Sequence, residues 1–124
     1  MNMNNILIVD DSATLRGQVR NILEGAGFKV TEAINGIDAL VKLAEMPQTN
    51  LILCDVNMPE MDGISMCKEV HKNKAFNTIP IVMLTTEADP QMKKAGKESG
   101  VLAWMTKPIN ENNLLLAINK ILEL

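Results

Sequence analysis

Aromatic residues, cysteine and histidine are all scarce in this chain. Its 124 residues include two phenylalanines, one tryptophan, no tyrosine, two cysteines and one histidine. Cys54 and Cys67 have neither metal-ligand nor redox spacing, and Cys54 lies inside an apolar run, so both are expected as reduced packing residues. That excludes a cysteine-based metal or redox centre and suits a cytoplasmic protein. His71 lies beside Lys72 in a polar helical context and is expected to be solvated, not a catalytic base or metal ligand. Excess positive charge is lacking too. The formal net charge is −3, and the lysines are dispersed, with no stripe of lysines and aromatics. Nucleic-acid binding is therefore not expected. The first residues carry no basic segment, long apolar stretch or cleavage site, and no apolar run approaches a bilayer span, so neither secretion nor membrane insertion is expected. A Walker A sequence, internal repeats and low-complexity segments are also missing.

What is present centres on Leu51-Ile52-Leu53-Cys54-Asp55-Val56-Asn57-Met58-Pro59-Glu60-Met61-Asp62-Gly63. A short apolar run between turn signals reads as a strand buried on both faces, the kind found in parallel sheets covered by helices. Asp55 then stands at the carboxyl end of a central strand, the edge where ligands bind in open α/β sheets. On this stretch alone it reads equally well as a turn or capping residue.

Taken in order, Ile6 to Val9 is a first buried strand, ending in Asp10-Asp11-Ser12. Leu15, Val19, Ile22 and Leu23 follow at helical spacing, with Ser12 or Asp11 as cap and Gly25 or Gly27 as stop. Lys29 to Ala33 is a second strand and Asn35-Gly36 a turn; Ile37, Leu40, Val41 and Ala44 then mark a second helix, stopped by Pro47. Ile64, Cys67 and Val70 define a third helix that frays at Asn73. Ile79 to Leu84 is a fourth buried strand, followed by Thr85-Thr86-Glu87. Asp89 and Pro90 open a mostly polar helix running to Ser99, expected as the loosest element. Val101 to Met105 is a fifth strand leading to Thr106-Lys107-Pro108, and Asn110 caps a last helix with Leu114, Ile118, Ile121 and Leu122 on its core face. Five strand-helix units in one 124-residue domain predict an α/β fold, a doubly wound parallel sheet with right-handed crossovers and helices on both faces. The nine methionines are expected as adaptable core packing.

Parallel strands place all their carboxyl ends on one side. Asp10, Asp11, Asp55, Thr85 and Lys107, far apart in sequence, are thereby brought to one edge. Three carboxylates in one cleft repel one another unless some are protonated or a cation joins them. All-oxygen donors without histidine or cysteine indicate a hard ion such as Mg²⁺. Lys107 adds a fixed positive charge and Thr85 a hydroxyl. Together they describe a pocket for a phosphoryl group carried on a nucleophilic aspartate.

Asp10-Asp11, Asp55 with Met58-Pro59-Glu60-Met61-Asp62-Gly63 behind it, Thr85 and Lys107-Pro108 resemble the receiver domain of bacterial two-component response regulators, over the whole chain. The resemblance implies a single receiver domain over residues 1–124 and the five-stranded flavodoxin-like order 2-1-3-4-5 with five helices. It further implies that Asp55 takes a phosphoryl group from a histidine kinase. Asp11, Asp55 and the backbone carbonyl of Asn57 would ligate Mg²⁺, with Asp10 acting mainly through water. Thr85 and Lys107 would contact the phosphoryl oxygens, with a cis Lys107-Pro108 bond. Asn57 and Glu87 stand at positions that tune self-dephosphorylation in the family, so a short-lived phosphoryl group is expected. Trp104 departs from the family's usual Tyr or Phe at the switch position.

No output domain is expected. The chain is read as a monomeric signalling switch, not an enzyme, which assists its own phosphorylation and dephosphorylation. Its expected partners are the kinase, a phosphatase and a protein target; similarity to stand-alone chemotaxis receivers makes that target the flagellar motor switch. A phosphorelay shuttle is the alternative. An Asp-nucleophile phosphatase fits less well, because Asp10-Asp11-Ser12 lacks the D-x-D pattern on the first strand.

Overall fold

The computed structural model describes residues 4–86 and 89–124. Five strands alternate with five helices: β1 Asn5–Val9, α1 Ala13–Gly25, β2 Lys29–Ala33, α2 Gly36–Glu45, β3 Leu51–Asp55, α3 Gly63–Lys72, β4 Ile81–Thr85, α4 Pro90–Glu98, β5 Ala103–Thr106 and α5 Glu111–Ile121. The strands form one parallel sheet in the order β2-β1-β3-β4-β5, as expected. Among the described residues no helix is long and apolar enough to cross a membrane.

Side chains alternate across each strand, so the apolar runs feed two separate cores. Leu7, Val9, Ile52, Cys54 and Met83 point to the side covered by α2 and α3, where Ala39, Leu43, Met66, Cys67 and Val70 are buried. Ile6, Ile8, Leu51, Leu53, Val82 and Leu84 point to the side covered by α1 and α5, against Val19, Leu23, Leu114 and Ile118. Every residue of β3 and β4 is buried, the signature of strands covered on both faces. Each helix starts at a residue whose side chain accepts a first-turn N–H: Ser12, Asn35, Asp62, Asp89 and Asn110. Such caps contribute about 1 kcal/mol each and fix where each strand's loop becomes helix.

The structure corrects several sequence readings. Asn35-Gly36 is not a free-standing turn: Asn35 caps α2 and Gly36 is its first residue. Of the four apolar residues expected to mark that helix, Ile37, Val41 and Ala44 are exposed. The buried line is Gly36, Ala39 and Leu43, with Gly36 packed so closely on Met61 that a Cβ there would collide with it. Of the two glycines expected to stop α1, Gly27 does so, adopting positive φ just past the Ala26 C-cap, while Gly25 is the last helical residue. Strand β4 begins at Ile81, after Pro80. Strand β5 begins two residues later than expected and includes Thr106; as an edge strand it is only half-buried. Cys54 and Cys67 are free and buried, and His71 is exposed, as read. In α4 only Gly96 is buried, consistent with its polar sequence.

Edge strand β2 is tied to α1 by charge. Glu32 accepts from Arg16 Nε at 3.0 Å and from Arg20 Nη1. Burial works to raise the Glu32 pKa, but the hydrogen bonds from Arg20 and Arg16 outweigh it and hold the carboxyl below its ordinary value. Its stabilising contribution is therefore complete above the unfolded-state pKa and is lost as pH falls through the folded one. Solvent screening keeps the effect small. Replacing Glu32 by Gln should cost about 1 kcal/mol at pH 7. Urea unfolding should show that gap closing below about pH 4; a gap of constant size into acid would contradict the pairing.

Candidate functional site

The site is assembled where the strands end. The Asp10 N–H donates to the Ala33 carbonyl at 3.1 Å, carrying the β1 register one residue past the strand. Its side chain turns inward and is 3% exposed, with Oδ1 accepting from the Ser12 N–H at 2.8 Å and Oδ2 from Lys107 Nζ at 3.1 Å. Asp55 closes β3 and is buried; its Oδ1 accepts from the Val56 N–H at 2.8 Å and lies 3.4 Å from Lys107 Nζ. Lys107 reaches both acids because its own N–H is bound to the Thr85 carbonyl at 2.8 Å, just before a cis Lys107-Pro108 bond. Asp11 is exposed at the rim. Ligand oxygens of Asp10, Asp11 and Asp55 lie within 4.8 Å of one another.

The charges in this pocket oppose one another. Burial, and then the nearby Asp10 carboxylate, push the Asp55 pKa up, against the pull of Lys107 and the Val56 N–H. Burial disfavours the Lys107 charge, but its bond to Asp10 and the fields of Asp10 and Asp55 outweigh that and raise its pKa. Lys107 thus stays charged between two acids, and Asp55 keeps an unrelieved cost of ionisation. Three carboxylates at this spacing, with no nitrogen or sulfur donor among them, fit a hard divalent cation, which would remove that cost.

Five of the sequence-derived residues converge: Asp10, Asp11, Asp55 and Lys107 meet directly, and Thr85 ends the adjacent strand, buried, one position beyond the Asp55–Leu84 pair. Asn57 lies exposed in the loop after β3. Glu87 lies outside the described residues. Trp104 is half-buried on β5 and, with Thr85, Lys93, Met105 and Thr106, lines a cavity of about 100 Å³. Its indole rests on Gly96 of α4, where an added Cβ would collide with indole Cζ2.

One contact and one contributor were not read from the sequence. Gly63 at the start of α3 passes so close to the Asp55 carbonyl that a Cβ there would collide with it, and its N–H donates to the Val56 carbonyl at 2.9 Å. The glycine was visible in the motif, but its contact was not. Arg16 donates from Nη1 to the Asp10 carbonyl at 2.7 Å. The signal for it was the like-charged pair Arg16 and Arg20 at i, i+4, an unfavourable spacing on a helix unless a carboxylate faces it.

Comparison with known proteins gives a consistent answer. The model of the response regulator receiver domain matches residues 6–119. The chain is 38% identical over 104 residues to the chemotaxis protein CheY1 of Helicobacter pylori, covering 83% of this chain and 84% of that protein. It is 36% identical over 120 residues to protein PilH of Pseudomonas aeruginosa, covering 97% of this chain and 98% of that one. The solved structure of the chemotaxis protein CheY4 of Vibrio cholerae superposes with a TM-score of 0.92 at 38% identity, covering 97% of this chain and 99% of that chain.

Because the folded-state pKa of Asp55 is raised, stability falls as pH rises from the ordinary carboxylate pKa through the folded value, and the full penalty remains above it. In metal-free buffer at pH 7, Asp55→Asn should therefore raise Tm, on the order of 4 °C for a domain of this size. The difference should vanish below about pH 3, where Asp55 is protonated in both states. A lower Tm for Asp55→Asn at pH 7 would show that the Lys107 pairing outweighs the crowding.

Proposed function

The chain belongs to the response regulator receiver family, and from that membership we propose that Asp55 accepts a phosphoryl group from a histidine kinase and that this switches binding to a protein target. The observation that carries the reading is the Lys107 ammonium lying within 3.4 Å of both Asp10 and Asp55, beside a third acid at the same edge.

An Asp55 carboxylate oxygen attacks the phosphorus of a phosphohistidine. A new O–P bond forms and the P–N bond breaks, its electron pair returning to the imidazole nitrogen. Lys107, fixed by its backbone bond to Thr85, neutralises a phosphoryl oxygen, and Thr85 offers a hydroxyl at the end of the neighbouring strand. Asp11, Asp55 and the Asn57 carbonyl would hold Mg²⁺, with Asp10 reaching it through water. Bound there, the cation supplies charge neutralisation for the acids and the phosphoryl oxygens. The chain is a switch, not an enzyme, and Asn57 and Glu87 set how long the acyl phosphate lasts.

The target is a protein, and the relatives with chemotaxis names favour the flagellar motor switch. The surface suits a partner segment with acidic and apolar residues. Lys93, Lys97, Val101, Leu102 and Trp104 line a groove of about 400 Å³ beside α4, and Leu102 is exposed. The indole of Trp104 belongs to both this groove and the cavity at Thr85, so a change at the phosphoryl site has a direct path to the partner face. Phosphorylation replaces one carboxylate charge with a more negative group bearing extra acceptors and biases an existing equilibrium.

Incubation with a small-molecule phosphodonor and Mg²⁺ should give one phosphoryl adduct by intact mass, with a change in Trp104 fluorescence. Asp55→Asn and chelation of Mg²⁺ should each abolish it. No adduct, or one that survives Asp55→Asn, would refute the assignment. In pull-down, motor-switch protein should be retained at least tenfold better by the phosphorylated chain; equal retention with and without the adduct would redirect the search to a phosphorelay partner.

A further inference from the structure

We infer that Arg16 is a positioning residue for the cation site, acting on Asp11 through the peptide that joins it to Asp10; this rests on the metal reading above. Arg16 lies one turn into α1 from the Ser12 cap, and its side chain is 15% exposed. Its guanidinium is held at two points. Nε donates to Glu32 Oε1 at 3.0 Å, and Nη1 donates to the Asp10 carbonyl oxygen at 2.7 Å.

That carbonyl oxygen belongs to the plane linking Asp10 to Asp11. Because the peptide unit is stiff and planar, holding its oxygen fixes the direction in which the chain leaves for the Asp11 Cα. Asp10 does not depend on this hold. Its N–H is bound by Ala33, and its two carboxylate oxygens by the Ser12 N–H and Lys107. Asp11 is exposed at the rim, so the orientation of the preceding peptide governs where its carboxylate points. Arg16 is thus a brace running from β2, through Glu32, to the one acid of the cluster that is not buried in the sheet edge.

Charge and position predict opposite signs for its removal. A guanidinium close to a divalent cation repels it, so a purely electrostatic role would make neutral replacements bind metal more tightly. A positioning role makes them bind less tightly; outer-shell partners of metal ligands typically matter by about 10- to 100-fold. Glu32 and Glu24 together balance Arg16 and Arg20, which favours the positional effect.

The test is a calorimetric MgCl₂ titration of the full chain as wild type, Arg16→Met, Arg16→Gln and Arg16→Lys, at a temperature where circular dichroism shows each folded. Mg²⁺ should bind about tenfold more weakly to Arg16→Met and Arg16→Gln, with Arg16→Lys between them and wild type. Displacement of Mn²⁺, read by its paramagnetic resonance signal, should give the same ranking. Equal or tighter Mg²⁺ binding by the neutral variants, with wild-type binding intact, overturns the inference. If Arg16→Met does not fold, Arg16→Gln decides on the same criterion. A wild-type chain that takes up no Mg²⁺ overturns the metal reading and this inference with it.

Discussion

A single ammonium group holds the site together. Lys107 Nζ lies 3.1 Å from one buried acid and 3.4 Å from another, and 97 residues separate it from Asp10 in the sequence. Two carboxylates brought this close without a cation would drive each other toward protonation. The contact therefore requires that β1, β3, β4 and β5 be in place together. It also makes the least buried strand the one that matters most for chemistry, since β5 is the half-covered edge that delivers Lys107. A sheet whose centre is intact but whose β5 edge has opened would keep most of its core and lose the pocket.

The rest of the molecule supplies rigidity around that contact. The two apolar cores meet at β1, β3 and β4, whose residues alternate between them. These three strands present Asp10, Asp55 and Thr85 at one edge. The helices that follow begin at side-chain caps, so each of them leaves the site from a defined starting point. Gly63 allows α3 to start in contact with the Asp55 backbone, which confines the loop carrying Asn57 between two fixed points. Crowded acids are costly, and a rigid frame bears that cost.

Much of this was legible in the amino-acid order. Continuous apolar runs ending in Asp10, Asp55 and Thr85 disclosed buried parallel strands, and parallelism alone brought the polar residues to one edge. Capping residues before α1, α4 and α5 gave the starts of those helices to within a residue or two, while Asn35 had read as a turn and Asp62 had not been singled out. What failed was local packing distance. In α2 the hydrophobic spacing selected Ile37 and Val41, yet the buried face uses Gly36, Ala39 and Leu43, and Gly36 sits hard against Met61. Periodicity ranks residues by hydrophobicity and carries no information on how near two backbones lie. The same blindness hid Gly63 against Asp55 and the reach of Arg16 to a carbonyl six residues earlier. Edge position explains the remaining shift: β5 pairs on one side only, so its limits were the least marked.

Gly96 and Trp104 constrain the order in which this surface can change. In an isolated helix alanine outranks glycine by about 1 kcal/mol, so local propensity favours losing the glycine. The indole occupies the space where that methyl would sit. A chain carrying tryptophan at 104 can gain the alanine only after the indole has been replaced by a smaller ring or has found another seat. A chain carrying alanine must lose it before tryptophan can take this pose. The two positions are thus historically coupled: each makes the other's replacement permissible or forbidden, and neither can be judged neutral by itself.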